Sequence, residues 1–162
     1  MSARLPVDVY SPDQIGIVLW ELDKLISALR DTNTRSVVTG SESVAAEHHV
    51  SALLLGVLRT SGISERDQAA LESLQVELQT VRSSAPVAHF LLSALPNRNF
   101  KRELVAWCRQ NLHENLLVTF ATRGDLGGGF VLRVGSKQYD FTYRAQLLND
   151  KKRLVEIFDN VR

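Results

Sequence analysis

A glycine-rich break between strand-like segments constrains the fold of this chain more than any other feature of its sequence. Residues 116–121 alternate in character and are rich in β-branched and aromatic side chains, which is typical of a strand. Four glycines then interrupt the run, because glycine adopts positive φ angles that other residues avoid: Gly124, Gly127, Gly128 and Gly129. Residues 130–134 and 137–141 predict two more strands, joined by a turn at Gly135-Ser136.

The segments on either side of these strands complete a small mixed layer. Residues 87–95 read as a strand and residues 98–112 as a helix whose apolar face, with Trp107 and Cys108, is expected to be core. Thr142 is the expected N-cap of a closing helix from about residue 143, with an apolar series that ends at Phe158. The order β-α-β-β-(β)-α predicts an α+β domain over residues 86–162, with a glycine-rich hairpin.

The first half of the chain predicts about three helices. Ser11-Pro12-Asp13-Gln14 is a strong start signal, with Ser11 as N-cap, proline at the first helical position and glutamine closing a capping box. Residues 31–43 read as a polar connector, 44–59 as a second helix, and 65–82 as a third helix capped by Ser64. Pro86 disfavours helix at the residue before it, so a helical N-terminal domain over 1–85 is expected to end there.

The first helix carries one continuous apolar stripe. Its members recur at steps of three and four, and they include Ile15, Val18, Leu22, Leu25, Ile26 and Leu29. Such a helix cannot stay alone in water, so the stripe packs either inside its own domain or on a helix of a partner protein. The sequence leaves both interpretations open.

Composition restricts the class of protein. No apolar run approaches the roughly 18 residues that a membrane-spanning helix needs, and no secretion signal is recognised. A single cysteine, Cys108, fits a reducing compartment. Residues 1–82 hold 7 Lys and Arg against 11 Asp and Glu, whereas residues 83–162 hold 12 against 7. This asymmetry suggests two faces with different partners, or else an uneven solvated surface.

No arrangement of residues predicts an active site. The glycine-rich segment lacks the Gly-Lys-Ser/Thr ending of a phosphate-binding loop, and strands rather than a helix follow it. The four histidines and Cys108 show no metal-ligand spacing, and Cys108 with His113 is misaligned for nucleophilic catalysis. Residues 65–82 are too acidic for a DNA-reading helix. We therefore expect no catalytic residue, cofactor or metal, and no nucleic-acid partner.

The glycine-rich region resembles a known family signature. The match comprises a glycine turn, an apolar strand with one arginine, a second turn and the start of an amphipathic helix, and it rests on Gly128, Gly129, Arg133, Gly135, Asp140, Thr142, Arg144 and Leu147. This pattern resembles the delta subunit of F-type ATP synthases, called the oligomycin-sensitivity-conferring protein in mitochondria. The chain departs from it at Gly127, Ser136 and Phe141, where the family usually has Ile, Asp and Gly.

The resemblance covers about residues 86–158 and implies a mechanical role. Family members are non-catalytic stator subunits that tie the alpha and beta subunits of the catalytic head to the b-type subunit of the peripheral stalk. It implies a cytoplasmic protein, peripheral on the inner face of the membrane, without insertion into it. The apolar stripe of the first helix is then the candidate head contact, although this half is shorter than the helical bundle of the family. An E-type stalk subunit of archaeal or vacuolar ATPases and an unrelated adaptor domain remain the alternatives.

Overall fold

A computed structural model describes residues 5–39 and 50–148, with all of their side chains except those of residues 33 and 35–39. Residues 143–148 are helical and follow the last strand. The elements are α1 (Pro12–Thr39), α2 (Ala52–Ser61), α3 (Gln68–Ser84), β1 (Val87–Leu92), α4 (Arg98–Asn111), β2 (Leu117–Thr122), a 3₁₀ turn (Gly124–Leu126), β3 (Gly129–Val134) and β4 (Lys137–Thr142). The predicted α+β class is confirmed, with helices in the first half and a four-stranded sheet in the second.

The predicted capping box begins α1. The amide of Gln14 donates to Ser11 Oγ at 3.2 Å, and the amide of Ser11 donates back to Gln14 Oε1 at 3.1 Å. Tyr10 donates its amide to the same Oε1 at 2.9 Å. Because amides at the helix start have no partner within the helix, these bonds fix where α1 begins.

The far end of α1 differs from the prediction. Residues 31–39, expected to be connector, are helical; residues 40–43 lie outside the described part of the chain. Thr32 and Thr34 donate their hydroxyls at 2.8 Å to the carbonyls of Ala28 and Arg30, four residues earlier. A polar sequence can therefore remain helical, since its hydroxyls are satisfied along the helix axis.

The starts of α2 and α3 lie later than predicted. Ser51 caps α2 by accepting the amide of Leu54 at 3.2 Å, and it donates to Glu21 of α1 at 2.6 Å; the expected start at residues 44–49 falls outside the described residues. Asp67, not Ser64, caps α3, because its carboxylate accepts the amide of Ala70 at 3.1 Å. Each helix buries one apolar face, formed by Leu54, Val57 and Leu58 in α2 and by Leu71, Leu74, Leu78 and Val81 in α3. Gly62 at φ +67° ends α2.

The helical half has one core. α1 and α3 lie antiparallel, since Asp23 contacts Gln75 and Arg30 pairs with Glu72 at 2.7 Å. The core also contains Leu117 of β2, so the helices pack directly against one end of the sheet. Its fully buried members include Val9, Ile15, Val18, Leu22, Leu71, Leu78 and Leu117.

The strand order is β2-β1-β3-β4, with β1 and β2 parallel and the other pairs antiparallel. α4 provides the crossover between the two parallel strands. β1 therefore lies between β2 and β3, and the predicted hairpin at the glycine-rich segment is wrong. The hairpin is β3–β4, where Val134 pairs with Lys137 around Gly135 at φ +58°.

α4 buries only part of its predicted apolar face. Val105 and Cys108 are fully buried against the sheet, together with Ala88, Phe90 and Val118. Trp107 is 55% exposed, so its assignment to the core is wrong. Phe100 and Leu112 are also exposed, because α4 covers the sheet over β1 and β2 and leaves one side of its own apolar face to solvent.

Candidate interaction surfaces

Two glycines of the motif, Gly128 and Gly129, allow the start of β3 to approach the end of β4 closely. Gly129 has φ +79°, and a Cβ there would meet the carbonyl oxygen of Phe141 and lie 2.8 Å from Thr142 Cα. Gly128, at φ +123°, faces the ring of Tyr143, whose amide donates to the Gly128 carbonyl at 3.3 Å. β3 thus starts against the point where β4 becomes a helix, and only glycine fits there.

We expect Gly129→Ala to destabilise the chain by about 1–2 kcal/mol more than Gly127→Ala. Gly127 is the matched control, because its φ of +62° is equally left-handed but a Cβ there would meet no atom within 4 Å. The control therefore reports the cost of the backbone angle alone. Urea unfolding of both variants measures the difference, and equal midpoints would contradict the close crossing.

The polar residues of the motif cap the closing helix. Thr142 Oγ1 accepts the amide of Ala145 at 3.3 Å, which confirms the predicted N-cap. Asp140 Oδ1 accepts the amide of Thr142 at 2.9 Å. Hydrogen bonding from Thr142 lowers the pKa of the exposed Asp140 carboxyl, opposed by slight desolvation and aided by the charge of Arg144. This carboxylate is a turn acceptor and stays ionised at neutral pH.

The motif is not one cluster. Gly128, Gly129, Asp140 and Thr142 meet at one end of the β3–β4 hairpin, whereas Gly135 forms its opposite end.

Arg133 lies exposed near that opposite end, on the sheet face away from α4. It pairs in register with His89, whose Nδ1 is 2.7 Å from Thr119 Oγ1. The three side chains line a groove of about 720 Å³ on this face. Arg144 and Leu147 are exposed on the closing helix, and Leu147 keeps 70% of its surface accessible.

The predicted partner-binding stripe lies inside the chain. Ile15, Val18, Leu22, Leu25 and Ile26 are buried in the helical core, and Leu29 packs against it. Their apolar surface is buried against α2, α3 and β2. The stripe therefore packs inside its own domain, which is one of the two interpretations that the sequence left open. Among the described side chains of α1, α2 and α3, the large apolar ones that remain exposed are Ile17, Trp20 and Val76. Lys24 Nζ lies 3.6 Å from the centre of the Trp20 ring.

Arg109 joins the start of the chain to the sheet, and the sequence analysis missed it. Its guanidinium donates to the carbonyls of Leu5 (2.9 Å), Pro6 (3.0 Å), Val9 (2.7 Å) and Leu116 (3.3 Å). Burial lowers the pKa of Arg109 to about 10, so the group is still charged at neutral pH. Helical periodicity could have predicted the burial of Arg109, because it lies four residues after Val105 on the face of α4 that packs inward.

The described residues hold no group of three or more His, Cys, Asp or Glu side chains that could bind a metal ion. Within the same part of the chain, no helix is long and apolar enough to cross a membrane. Cys108 is fully buried, and this burial raises the pKa of its thiol. A protonated, inaccessible thiol is a poor nucleophile. The burial itself was predicted from the place of Cys108 on the apolar helix face.

We expect Cys108 to react with a disulfide reagent at least about a hundredfold more slowly in the native chain than in denaturant. Reaction requires α4 to open, since the side chain has no accessible surface in the folded structure. The absorbance of the released thiolate measures both rates. Similar rates in the two conditions would show that α4 does not cover the thiol.

Comparison with protein-family models and with curated proteins finds no match to this chain.

Proposed function

We propose that this chain is a non-catalytic stator subunit of an F-type ATP synthase, linking the catalytic head to the b-type subunit of the peripheral stalk. The observation that carries the proposal is the crossing at Gly128, Gly129 and Thr142. The residues on which the family resemblance rests at this point have a physical role here, as a close backbone contact and a helix cap. The cytoplasmic location, peripheral to the membrane, is part of the same proposal.

A stator must resist torque, and the way the two halves join supports this role. Leu117 of the sheet is fully buried in the helical core, and Val118 donates its amide to the Tyr10 carbonyl at 2.6 Å. Arg109 fastens the segment before α1 to the same region through charge-assisted hydrogen bonds. A load applied to one half therefore passes to the other through packed contacts rather than through a free linker.

The head contact in this proposal uses the outer surface of α1 and α3. The stripe of α1 is occupied, whereas Trp20 keeps 58% and Val76 62% of their surfaces accessible. Exposed aromatic residues are enriched at protein interfaces and often dominate their energy. We therefore assign the head contact to Trp20, Ile17 and Val76, in place of the buried stripe.

A pull-down from membranes of the source cells tests the function, with the full chain as bait and partners identified by mass. Recovery of the ATP synthase alpha, beta and b-type subunits is the expected result. Trp20→Asp should reduce recovery of the head, while Trp107→Asp, also at an exposed tryptophan, should not. Clean recovery of the bait without any ATPase subunit would overturn the proposal.

The same experiment separates the alternatives. Recovery of archaeal or vacuolar ATPase subunits would identify an E-type stalk subunit. That class usually begins with one long charged helix, whereas the helical half here is divided into α1, α2 and α3. Recovery of partners unrelated to rotary ATPases would instead favour an adaptor domain.

A further inference from the structure

The last strand of the sheet, β4, is an edge strand whose outer side is open. The strand order β2-β1-β3-β4 gives β4 one neighbour, β3, and no other strand pairs with it in the described part of the chain. Residues 137–141 are all exposed. The opposite edge differs, because the Val118 amide of β2 donates to the Tyr10 carbonyl at 2.6 Å. An edge with unpaired amides and carbonyls is a template for another strand.

The β3–β4 hairpin determines which backbone groups of β4 point outward. Val134 and Lys137 flank the two-residue turn Gly135-Ser136, and the residues that flank such a turn exchange hydrogen bonds with each other. Hydrogen-bonded and non-hydrogen-bonded pairs then alternate along an antiparallel ladder. Tyr139 and Phe141 therefore also direct their backbone groups to β3. The residues between them direct theirs to the open side.

Gln138 and Asp140 carry the backbone groups that face the open side. Each presents one amide and one carbonyl there, in a strand without proline. The next outward amide, that of Thr142, is already used, since it donates to Asp140 Oδ1 at 2.9 Å. The open edge thus offers the amides and carbonyls of two residues, and it ends where the cap of the closing helix begins.

A second copy of this strand matches the open edge in one register. In an antiparallel pair with Tyr139 on the two-fold axis, Gln138 lies opposite Asp140 of the second copy, and Asp140 lies opposite its Gln138. Each of these two pairs exchanges two backbone hydrogen bonds, so that four form in all. Moving the axis to Asp140 would place two carboxylates directly opposite each other, which is destabilising. Moving it to Gln138 would place Asp140 against the turn at Ser136.

The polar side chains of the sheet face away from α4 fit this register. The Gln138 amide can donate to the Asp140 carboxylate of the second copy, because the Thr142 amide is bound to the other oxygen, Oδ1. Arg133 lies beside Gln138 in the register of β3 and adds positive charge to the same row. Opposite charges in neighbouring strands stabilise a sheet. The row is therefore complementary to its own two-fold copy.

The aromatic side chains of the α4 face fit the same register. Tyr139 would lie against Tyr139 of the second copy. Tyr139 and Phe141 keep 45% and 43% of their surfaces accessible, and they line an apolar groove of about 550 Å³ together with Leu112 and Leu132. The two-fold axis brings the two grooves together, so aromatic side chains of each copy cover the groove of the other. Contiguous exposed apolar surface of this kind marks an interaction site.

We propose that two copies of this chain associate through antiparallel pairing of β4 with β4, with Tyr139 on the two-fold axis. The two four-stranded sheets would then form one continuous sheet of eight strands. Such an interface is isologous, because both copies contribute the same strand. The association does not rest on the function proposed above.

Sedimentation equilibrium of the full-length chain tests the association. We expect a mass that rises with concentration from 18.1 kDa to twice that value. Gln138→Pro removes one outward amide from each copy and leaves the bonds between β3 and β4 in place, since edge strands tolerate proline where the amide faces outward. It should weaken dimerisation at least about tenfold. Gln138→Thr is the matched control, because it keeps the amide, and it should change the dissociation constant far less. Far-UV circular dichroism checks that both variants are folded.

Cysteine cross-linking tests the register. The Cα atoms of a non-hydrogen-bonded pair are about 4.5 Å apart, within the range of a disulfide, so Tyr139→Cys should form a covalent dimer under mild oxidation. Phe141→Cys is the matched control, with nearly equal exposure on the same face. In the proposed register Phe141 lies opposite Lys137, about 14 Å along the strand from the other Phe141 and too far for a disulfide. Native Cys108 is fully buried and does not compete.

A concentration-dependent dimer that Gln138→Pro weakens, with a disulfide in Tyr139→Cys alone, supports the proposal. A mass of 18.1 kDa at all concentrations would overturn it. Slow hydrogen exchange of the Gln138 and Asp140 amides in such a monomer would assign the edge to another segment of the same chain. Dimers that proline leaves unchanged, or equal cross-linking of both cysteine variants, would place the contact elsewhere and also overturn it.

Discussion

Leu22→Asp is expected to unfold the helical half of the chain. Leu22 has no accessible surface and lies among the buried side chains of α1, α2 and α3. Replacing a buried leucine by alanine alone costs about 2–5 kcal/mol, and a carboxylate there adds the cost of an unpaired buried charge. We expect a loss of more than about 5 kcal/mol, comparable to the whole stability of a domain of this size. Far-UV circular dichroism and urea unfolding measure it.

The same change on the outer face of α1 is the control. Ile17 is 48% exposed and lies on the same helix, so Ile17→Asp should cost about 1 kcal/mol or less. If Leu22→Asp kept the native unfolding midpoint and lost only the ATPase head in a pull-down, the stripe would be a partner surface after all. The two variants therefore separate a core role from a binding role for the same sequence pattern.

Features set by short-range chemistry were predictable. The capping box at Ser11 and Gln14 and the N-cap at Thr142 depend on groups within four residues of each other. Sequence spacing alone determines whether such groups can meet. The α+β class also followed from local periodicity, since the first half shows only helical periodicity, whereas period-two segments appear in the second half beside a helical one.

Features set by distant contacts were not predictable. The glycine-rich segment looked like a hairpin because strands flank it, yet β1 lies between those strands. Leu92 of β1 pairs with Thr122, 30 residues later, and with Phe130, 38 residues later. Residues 31–39 looked like a connector because they are polar, although that composition does not prevent a helix. In both cases local propensity was a weak guide.

The candidate surfaces divide in the same way. Trp107 was assigned to the core because it lies on an apolar helix face, but the width of the sheet decides how much of that face is covered. The exposed apolar surface at Tyr139 and Phe141 depends on the pairing of β3 with β4. Arg109 was not singled out from the sequence, although its spacing from Val105 places it on the buried side of α4.

Arg109→Ala is expected to destabilise the whole chain by about 3–5 kcal/mol. Its guanidinium is the donor for carbonyls of Leu5, Pro6, Val9 and Leu116, and removal leaves these groups without that donor. Each buried carbonyl that loses its partner costs about 1–3 kcal/mol, and water entering the space recovers part of this. Because Leu5 and Val9 belong to the helical core, loosening their segment weakens both halves together.

Arg102→Ala is the matched control on the same helix. Arg102 is exposed and meets Asp8 only through a 3.6 Å ion pair, so its loss should cost less than about 1 kcal/mol. Arg109→Lys should be intermediate, since an ammonium has three donors and cannot match the planar spread of the guanidinium. Equal urea midpoints for Arg109→Ala and Arg102→Ala would show that the hydrogen bonds of the Arg109 guanidinium contribute nothing to stability. A stator whose halves separate under load could not hold the catalytic head, so Arg109→Ala should also weaken ATP synthase coupling if the proposed function holds.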